Sequence, residues 1–345
     1  MTNKLQNDLL IRAAFSQQTE RPPVWMMRQA GRFMKEYWEI KNKYSFLEMC
    51  KTPEIAADVT MLPVDLLGVD AAILFSDILV TPEAMGGILS FEDGVGPRFA
   101  NPVRDRAGAE ALQTDVLPKL QYVADAIKVI QQRLQGRIPL IGFAGAPFTV
   151  LSYLVEGGSS KDFKRTKLLL NNEPELAHLL LQKITDVTIA YLNMQIAAGV
   201  NAVQLFDSWA MALSWDDYQH FAHQYNTEII AKIDRKDIPV ISFCKGSSVF
   251  APLMAEANPD VVSVDWNADL RQLKDRLPQG VAVQGNLDPF VLYADKRVIK
   301  TKITELFERM RGQPGFIFNL GHGIMPDIPF DHVKYAVEVV REFRY

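Results

Sequence analysis

Residues 71–80 read AAILFSDILV, and this stretch decides how the chain is organised. An apolar run meets Ser76 and Asp77, after which apolar side chains resume. A run of this kind that breaks on a turn-like Ser-Asp reads as a fully buried strand reaching its C-terminal end. In α/β folds that end is where the chemistry is kept. Asp77 is therefore open to two readings: a carboxylate at an active-site mouth, or a cap for the next helix.

Outward from this stretch the pattern repeats. DAAILF (70–75) is joined by PVWMM (23–27), PLIGFAG (139–145), AVQLFD (202–207), PVISFC (239–244), VVSVDW (261–266), VAVQGN (281–286) and FIFNL (316–320). Helical segments lie between most of these runs. Thr52-Pro53-Glu54 supplies an N-cap, a first-position proline and an early acid for a helix running to Gly68. Residues 118–135 have helical periodicity, Glu173-Pro174 opens a long helix ending near Gly199, and residues 330–343 form a last amphipathic helix. Ser214 with Asp216 and Asp217 caps another. Residues 1–15 read as an amphipathic helix, 33–50 as irregular, and 92–102 as a loop by composition. Eight β–α alternations predict an α/β fold: a single (β/α)8 TIM barrel over residues 1–345, with its site at the C-terminal mouth of the strands. No GxGxxG follows the first strand, which disfavours a dinucleotide fold.

The bulk properties narrow the function classes. The 345 residues are 48% hydrophobic, enough for a large core, and carry a net charge of −4. There is no global basic field for nucleic acid or for a membrane, so an anionic substrate needs a local cluster of cations. Two cysteines, Cys50 and Cys244, give no disulfide framework and suit a reducing compartment. Without a signal peptide or a membrane-length apolar stretch, a soluble cytoplasmic protein is expected.

The barrel brings together whatever follows each strand. Arg28 and Arg32 flank Gln29, Ala30 and Gly31; if the backbone is helical there, both guanidiniums share one face, a spacing suited to carboxylates or phosphates. The mouth also gains Asp77, Tyr153 a short loop beyond its strand, Asp207 with Ser208, Cys244 with Lys245, Asp265, Asn286 with Asp288, and His322 between two glycines. Each has a plain structural reading too: loop bonding for His322, packing for Tyr153, rim structure for Asp207 and Asp265, and a solvated or paired Lys245 rather than a Schiff-base lysine. Residues 156–161 look faintly like a phosphate cradle but lack its spacing. Two cysteines and five histidines show no close metal-ligand spacing. The set suits a large polar anion.

Taken together, the motifs resemble the uroporphyrinogen decarboxylase family. The matching pieces are MRQAGR (27–32), AILFSDILV (72–80), GPRF (96–99), GFAGAPF (142–148), VEGGSSK (155–161), LFDS (205–208), QGNLDP (284–289) and NLGHG (319–323), in the family's order. The resemblance implies one barrel, a cytoplasmic homodimer with facing mouths, and no cofactor, metal, nucleic-acid or membrane partner. It implies removal of CO2 from the four acetate arms of uroporphyrinogen III in haem biosynthesis. It assigns carboxylate binding to Arg28 and Arg32, substrate binding also to Gln29, Ala30 and Gly31 between them, the pyrrole N–H groups to Asp77 as transition-state stabiliser, and further substrate contacts to Tyr153, Ser208 and His322. Two departures stand out. The family's Tyr-Leu-Pro-Glu-Tyr-Arg type segment is Phe33-Met34-Lys35-Glu36-Tyr37-Trp38 here, and its paired basic residues near 65–66 are Asp65-Leu66. Both bear on the entrance to the site. A zinc- and corrinoid-linked methyltransferase of the same superfamily is the nearest alternative, but its ligands would fall on Ser242, Cys244 and His322. A non-catalytic tetrapyrrole-binding protein could share the arginines and would not need Asp77.

Overall fold

The apolar runs become strands of one parallel, closed sheet. The structure, a computed structural model, describes residues 5–92, 96–235, 237–246 and 248–345. Residues 1–4 of the expected first helix and 93–95 of the expected loop lie outside it. The strands in chain order are β1 (Ala72–Ile73), β2 (Leu89–Glu92), β3 (Gly96–Phe99), β4 (Leu140–Gly145), β5 (Ala202–Asp207), β6 (Val240–Cys244), β7 (Val261–Ser263), β8 (Ala282–Leu287) and β9 (Phe316–Leu320). Seven of them, β1 and β4 to β9, lie side by side in sequence order.

Val24 fills the eighth place. It bridges Phe318 of β9 in parallel, while its carbonyl accepts the N–H of Asp70 at 2.7 Å, just before β1. The residues 23–27 strand is thus reduced to a bridge, but that bridge closes the barrel. A buried ion pair locks the seam. Arg21 reaches both Asp70 oxygens at 2.6 and 2.7 Å, and the same carboxylate accepts from Asn7 and from the Val24 N–H, each at 2.8 Å.

The inner face is packed with polar and aromatic side chains in layers. Trp25 Nε1 donates to Gln284 Oε1 at 2.9 Å, and Gln284 Nε2 donates to Gln204 Oε1 at 3.1 Å and to Ser263 Oγ at 2.9 Å. Since Gln204 on β5 meets Gln284 on β8, both point into the lumen. Phe206, two residues above Gln204, must point the same way. Phe143 is in register with Gln204 and Phe243 with Phe206, so these rings face inward as well. On the outside, Gln195 from the helix Pro174–Ala198 inserts against β4, bonding both the N–H and the C=O of Phe143 at 2.9 and 2.8 Å.

The departures from the sequence reading are local. Residues 33–50 are not irregular: they hold the helices Lys35–Lys41 and Phe46–Lys51. The second starts on a capping box, with Ser45 and Glu48 exchanging bonds with one another's backbone. Residues 92–102 are not a plain loop, because β2 and β3 pair antiparallel there, Leu89 opposite Phe99. The helix after Thr52 runs Pro53–Leu66 as expected, although the Thr52 side chain makes no capping bond.

Candidate active site

β1 ends at Ile73, yet the chain stays extended beyond it. The Leu74 N–H bonds the Ile141 carbonyl at 3.0 Å, and the Phe75 N–H bonds Thr60 Oγ1 at 2.9 Å. Asp77 follows at the rim. One of its oxygens accepts the Leu79 N–H at 2.8 Å, holding the turn into the short helix Val80–Ala84. The turn-holding reading of Asp77 is thus observed, and its other oxygen accepts no hydrogen bond from the described residues. Burial pushes its carboxyl up to about 6, and the Leu79 bond and the charge of Arg28 pull it only part of the way back.

Arg28 sits in a left-handed backbone conformation, φ 63°, in a turn rather than a helix. The expectation of two guanidiniums on one helix face fails for that reason. The two cations are still near enough for the charge of Arg32 to lower the pKa of Arg28. Gly323 is what makes room: a methyl group there would overlap the Arg28 side chain. Arg28 is the electrical hub of the site, feeling Tyr153, Arg32 and Asp77 once burial has lowered its own pKa. No direct ion pair joins it to Asp77 among the described residues. Gln29 is fully buried and faces away from the mouth; it accepts from the Met26 N–H at 3.1 Å and donates to the Ala71 carbonyl at 3.0 Å. Ala30 and Gly31 have only backbone to offer a polar ligand.

Tyr153 lies on the helix Pro147–Glu156, not on a loop. Burial raises its phenol, and the neighbouring Trp209 and Ser159 side chains and Arg28 lower it again, while Asp77 adds to the rise. Ser208 follows β5 directly, half-buried beside Trp209, whose ring centroid stands 5.9 Å from that of Tyr153. His322 is half-buried with its ring 6.4 Å from Phe243. Burial, then Arg28 and Lys245, push its pKa down to about 3, so it is a neutral imidazole at working pH. Beneath these groups Phe143, Phe206 and Phe243 meet edge to face at 5.6 and 5.8 Å, a dry aromatic floor. The sequence reading passed over this floor, although three strands each carry a Phe one or two residues before their end. It gave Trp209 no role, and Ser159 none beyond its place in residues 155–161.

Other rim residues are structural. Asp207, 2% exposed, accepts from Thr149 Oγ1 at 2.7 Å and from Asn226 Nδ2 at 3.1 Å, and burial raises it to about 6. Asp265 accepts the Gly246 N–H at 2.6 Å. Cys244, in register with Asp207, faces the helical layer with its thiol raised by burial. Among the described residues no three His, Cys, Asp or Glu side chains gather as a metal site. Of the two sequence departures, only one lies at the entrance. Trp38 Nε1 donates to the Arg32 carbonyl at 2.7 Å. Asp65 instead pairs with Arg137 at 2.9 Å, near the starts of β1 and β4 and thus at the opposite end of the barrel.

The whole chain can now be set beside known proteins. The family model described as uroporphyrinogen decarboxylase matches residues 5–343. The chain belongs to that family. A uroporphyrinogen decarboxylase of Protochlamydia amoebophila is 49% identical over 98% of this chain and 92% of its own length. One of Chloroherpeton thalassium is 47% identical over 98% of both. Among solved structures, a methyltransferase from Methanosarcina mazei superposes with a TM-score of 0.83 at 22% identity, covering 99% of each chain. A Shewanella B12-independent methionine synthase gives 0.56 at 11%, covering 94% of this chain and 96% of its own. These two likenesses speak for the α/β-barrel fold alone.

Proposed function

We propose that this chain decarboxylates uroporphyrinogen to coproporphyrinogen in porphyrin and haem biosynthesis, as a carboxy-lyase that takes no cofactor. The observation that carries the reading is Asp77: a buried carboxylate beyond the end of an apolar strand, within reach of the charge of Arg28, in a barrel floored by phenylalanines. Each acetate arm takes up one proton and releases one CO2, leaving a methyl group. Loss of CO2 pushes an electron pair onto the methylene carbon, which needs a sink. Protonation of the adjacent pyrrole carbon makes the ring that sink, so the substrate supplies what a cofactor supplies elsewhere.

The chain's part is then to bind the arms and to hold an anion where cationic charge develops. Arg28 and Arg32 take substrate carboxylates, with the backbone N–H groups of Ala30 and Gly31 between them, while Gln29, its N–H bonded to the Met26 carbonyl at 2.9 Å, holds the turn. Asp77 accepts from pyrrole N–H groups and stabilises the cationic ring. Its dry setting strengthens that interaction. Tyr153, Ser208 and neutral His322 position the substrate. Incubating the protein with uroporphyrinogen and analysing the products tests this, and Asp77→Ala is expected to lose turnover far more than binding.

The chain is taken to act as one domain over 1–345, as a cytoplasmic homodimer. Two free, buried cysteines suit a reducing compartment, and among the described residues no helix is long and apolar enough to cross a membrane.

A further inference from the structure

We propose that Thr149, tied to Asp207 and Asn226, is a positioning residue that fixes Ser208 and Tyr153 in the mouth. The inference rests on reading those two side chains as substrate contacts.

Asp207 ends β5 with its carboxylate turned out of the lumen, toward the helices. It has no ion-pair partner among the described residues. Its oxygens meet only neutral donors: the Thr149 hydroxyl at 2.7 Å, the Asn226 amide at 3.1 Å and, more weakly, the Thr149 backbone N–H. Taking a carboxylate out of water with so little compensation is expensive. Apolar packing would join a strand to two helices at less expense. What the carboxylate adds is direction. By accepting the Thr149 proton it turns the oxygen's lone pairs toward the Trp209 N–H, which donates to Thr149 Oγ1 at 3.1 Å. The residue so fixed is the one after Ser208.

The same hydroxyl lies under Tyr153. Thr149 and Tyr153 are four residues apart on the helix Pro147–Glu156, on one face. The Trp209 ring stands between Tyr153 at 5.9 Å and Phe163 at 5.4 Å, so fixing the Trp209 backbone also fixes the wall behind the phenol. Asn226 enters from the helix Gln224–Lys232, which follows a π-helical turn, Gln219–His223, an irregularity frequent near functional sites. One buried hydroxyl thus sets the turn carrying Ser208 and the ring backing Tyr153.

Thr149→Val keeps the shape and removes both bonds. Steady-state kinetics of the whole enzyme should show KM raised about tenfold with kcat within about threefold, the pattern of lost substrate contact. Thr149→Ser should restore KM to within about twofold of wild type. In a Ser208→Ala/Tyr153→Phe background, adding Thr149→Val should change KM by less than about twofold, because the residues it acts through are gone. A folded Thr149→Val enzyme with unchanged KM overturns the proposal, and so does a full tenfold effect in the double background. If the Ser208→Ala/Tyr153→Phe enzyme itself keeps the wild-type KM, the substrate-contact reading fails first and takes the proposal with it. Should Thr149→Val not fold, Thr149→Cys, near-isosteric with a weak donor, replaces it in every comparison.

Discussion

Asp77 is the residue on which the chemistry turns, and its surroundings make specific demands on experiment. Asp77→Asn keeps an oxygen for the Leu79 N–H and removes the charge. Losing one preorganised electrostatic group of this kind slows turnover by about 10²–10³. We therefore expect kcat to fall by that factor, with KM within a few-fold, in steady-state assays. The wild-type pH profile should carry the same signature. With its pKa raised to about 6, Asp77 in the free enzyme is neutral below that pH and ionised above it. The rate constant kcat/KM should climb about tenfold per pH unit up to about 6 and level off beyond. His322, held down to about 3, cannot supply that limb, so it should persist in His322→Asn; Asp207 is also raised to about 6, and loss of the limb from the residual activity of Asp77→Asn assigns it to Asp77 rather than to Asp207. How much of this was legible in advance differs by residue. Asp77, Arg28, Arg32 and His322 could be placed at the mouth because each follows a readable strand. The backbone turn at Arg28 and the inward burial of Gln29 could not, because contacts to Gly323 and Ala71 set them from far along the chain.

At the scale of elements, the strands were readable where both faces are buried. β4, β5, β6, β8 and β9 are buried at every position, so their sequences are apolar runs with clear ends. The hairpin β2–β3 was missed because its Gly, Pro and Asp content resembles a loop, and its pairing depends on a neighbour rather than on alternation. The helix Phe46–Lys51 had a signal, Ser45 three residues before Glu48, hidden among aromatic residues. The seam at Val24 was only half legible. Arg21 and Asp70 are 49 residues apart, and nothing local marks them as partners. Both are under 9% exposed, so removing one strands the other charge. Arg21→Ala should lower stability by about 3–5 kcal/mol in urea unfolding, while the apolar pair Arg21→Met/Asp70→Leu should lose much less. Equal losses in the two variants would show that shape, not charge, closes the seam.

For the whole molecule, net charge and local charge point in opposite directions. The chain carries −4 overall, yet Arg28, Arg32 and Lys245 collect at one end of the barrel. A substrate bearing eight carboxylates must be drawn to that end against the overall sign. Such attraction is screened by salt, with a Debye length of about 10 Å at 0.1 M. KM should therefore rise steadily as salt is added, with kcat little changed, and a salt-independent KM would mean the cations do not steer binding. The fold alone does not decide among functions, since barrels of other activities superpose on this one. The most direct test of the account is anaerobic incubation of the purified protein with uroporphyrinogen, without added cofactor, while CO2 is measured. Four CO2 per tetrapyrrole are expected, ending in coproporphyrinogen. Tight binding of the substrate with no CO2 released would contradict that expectation.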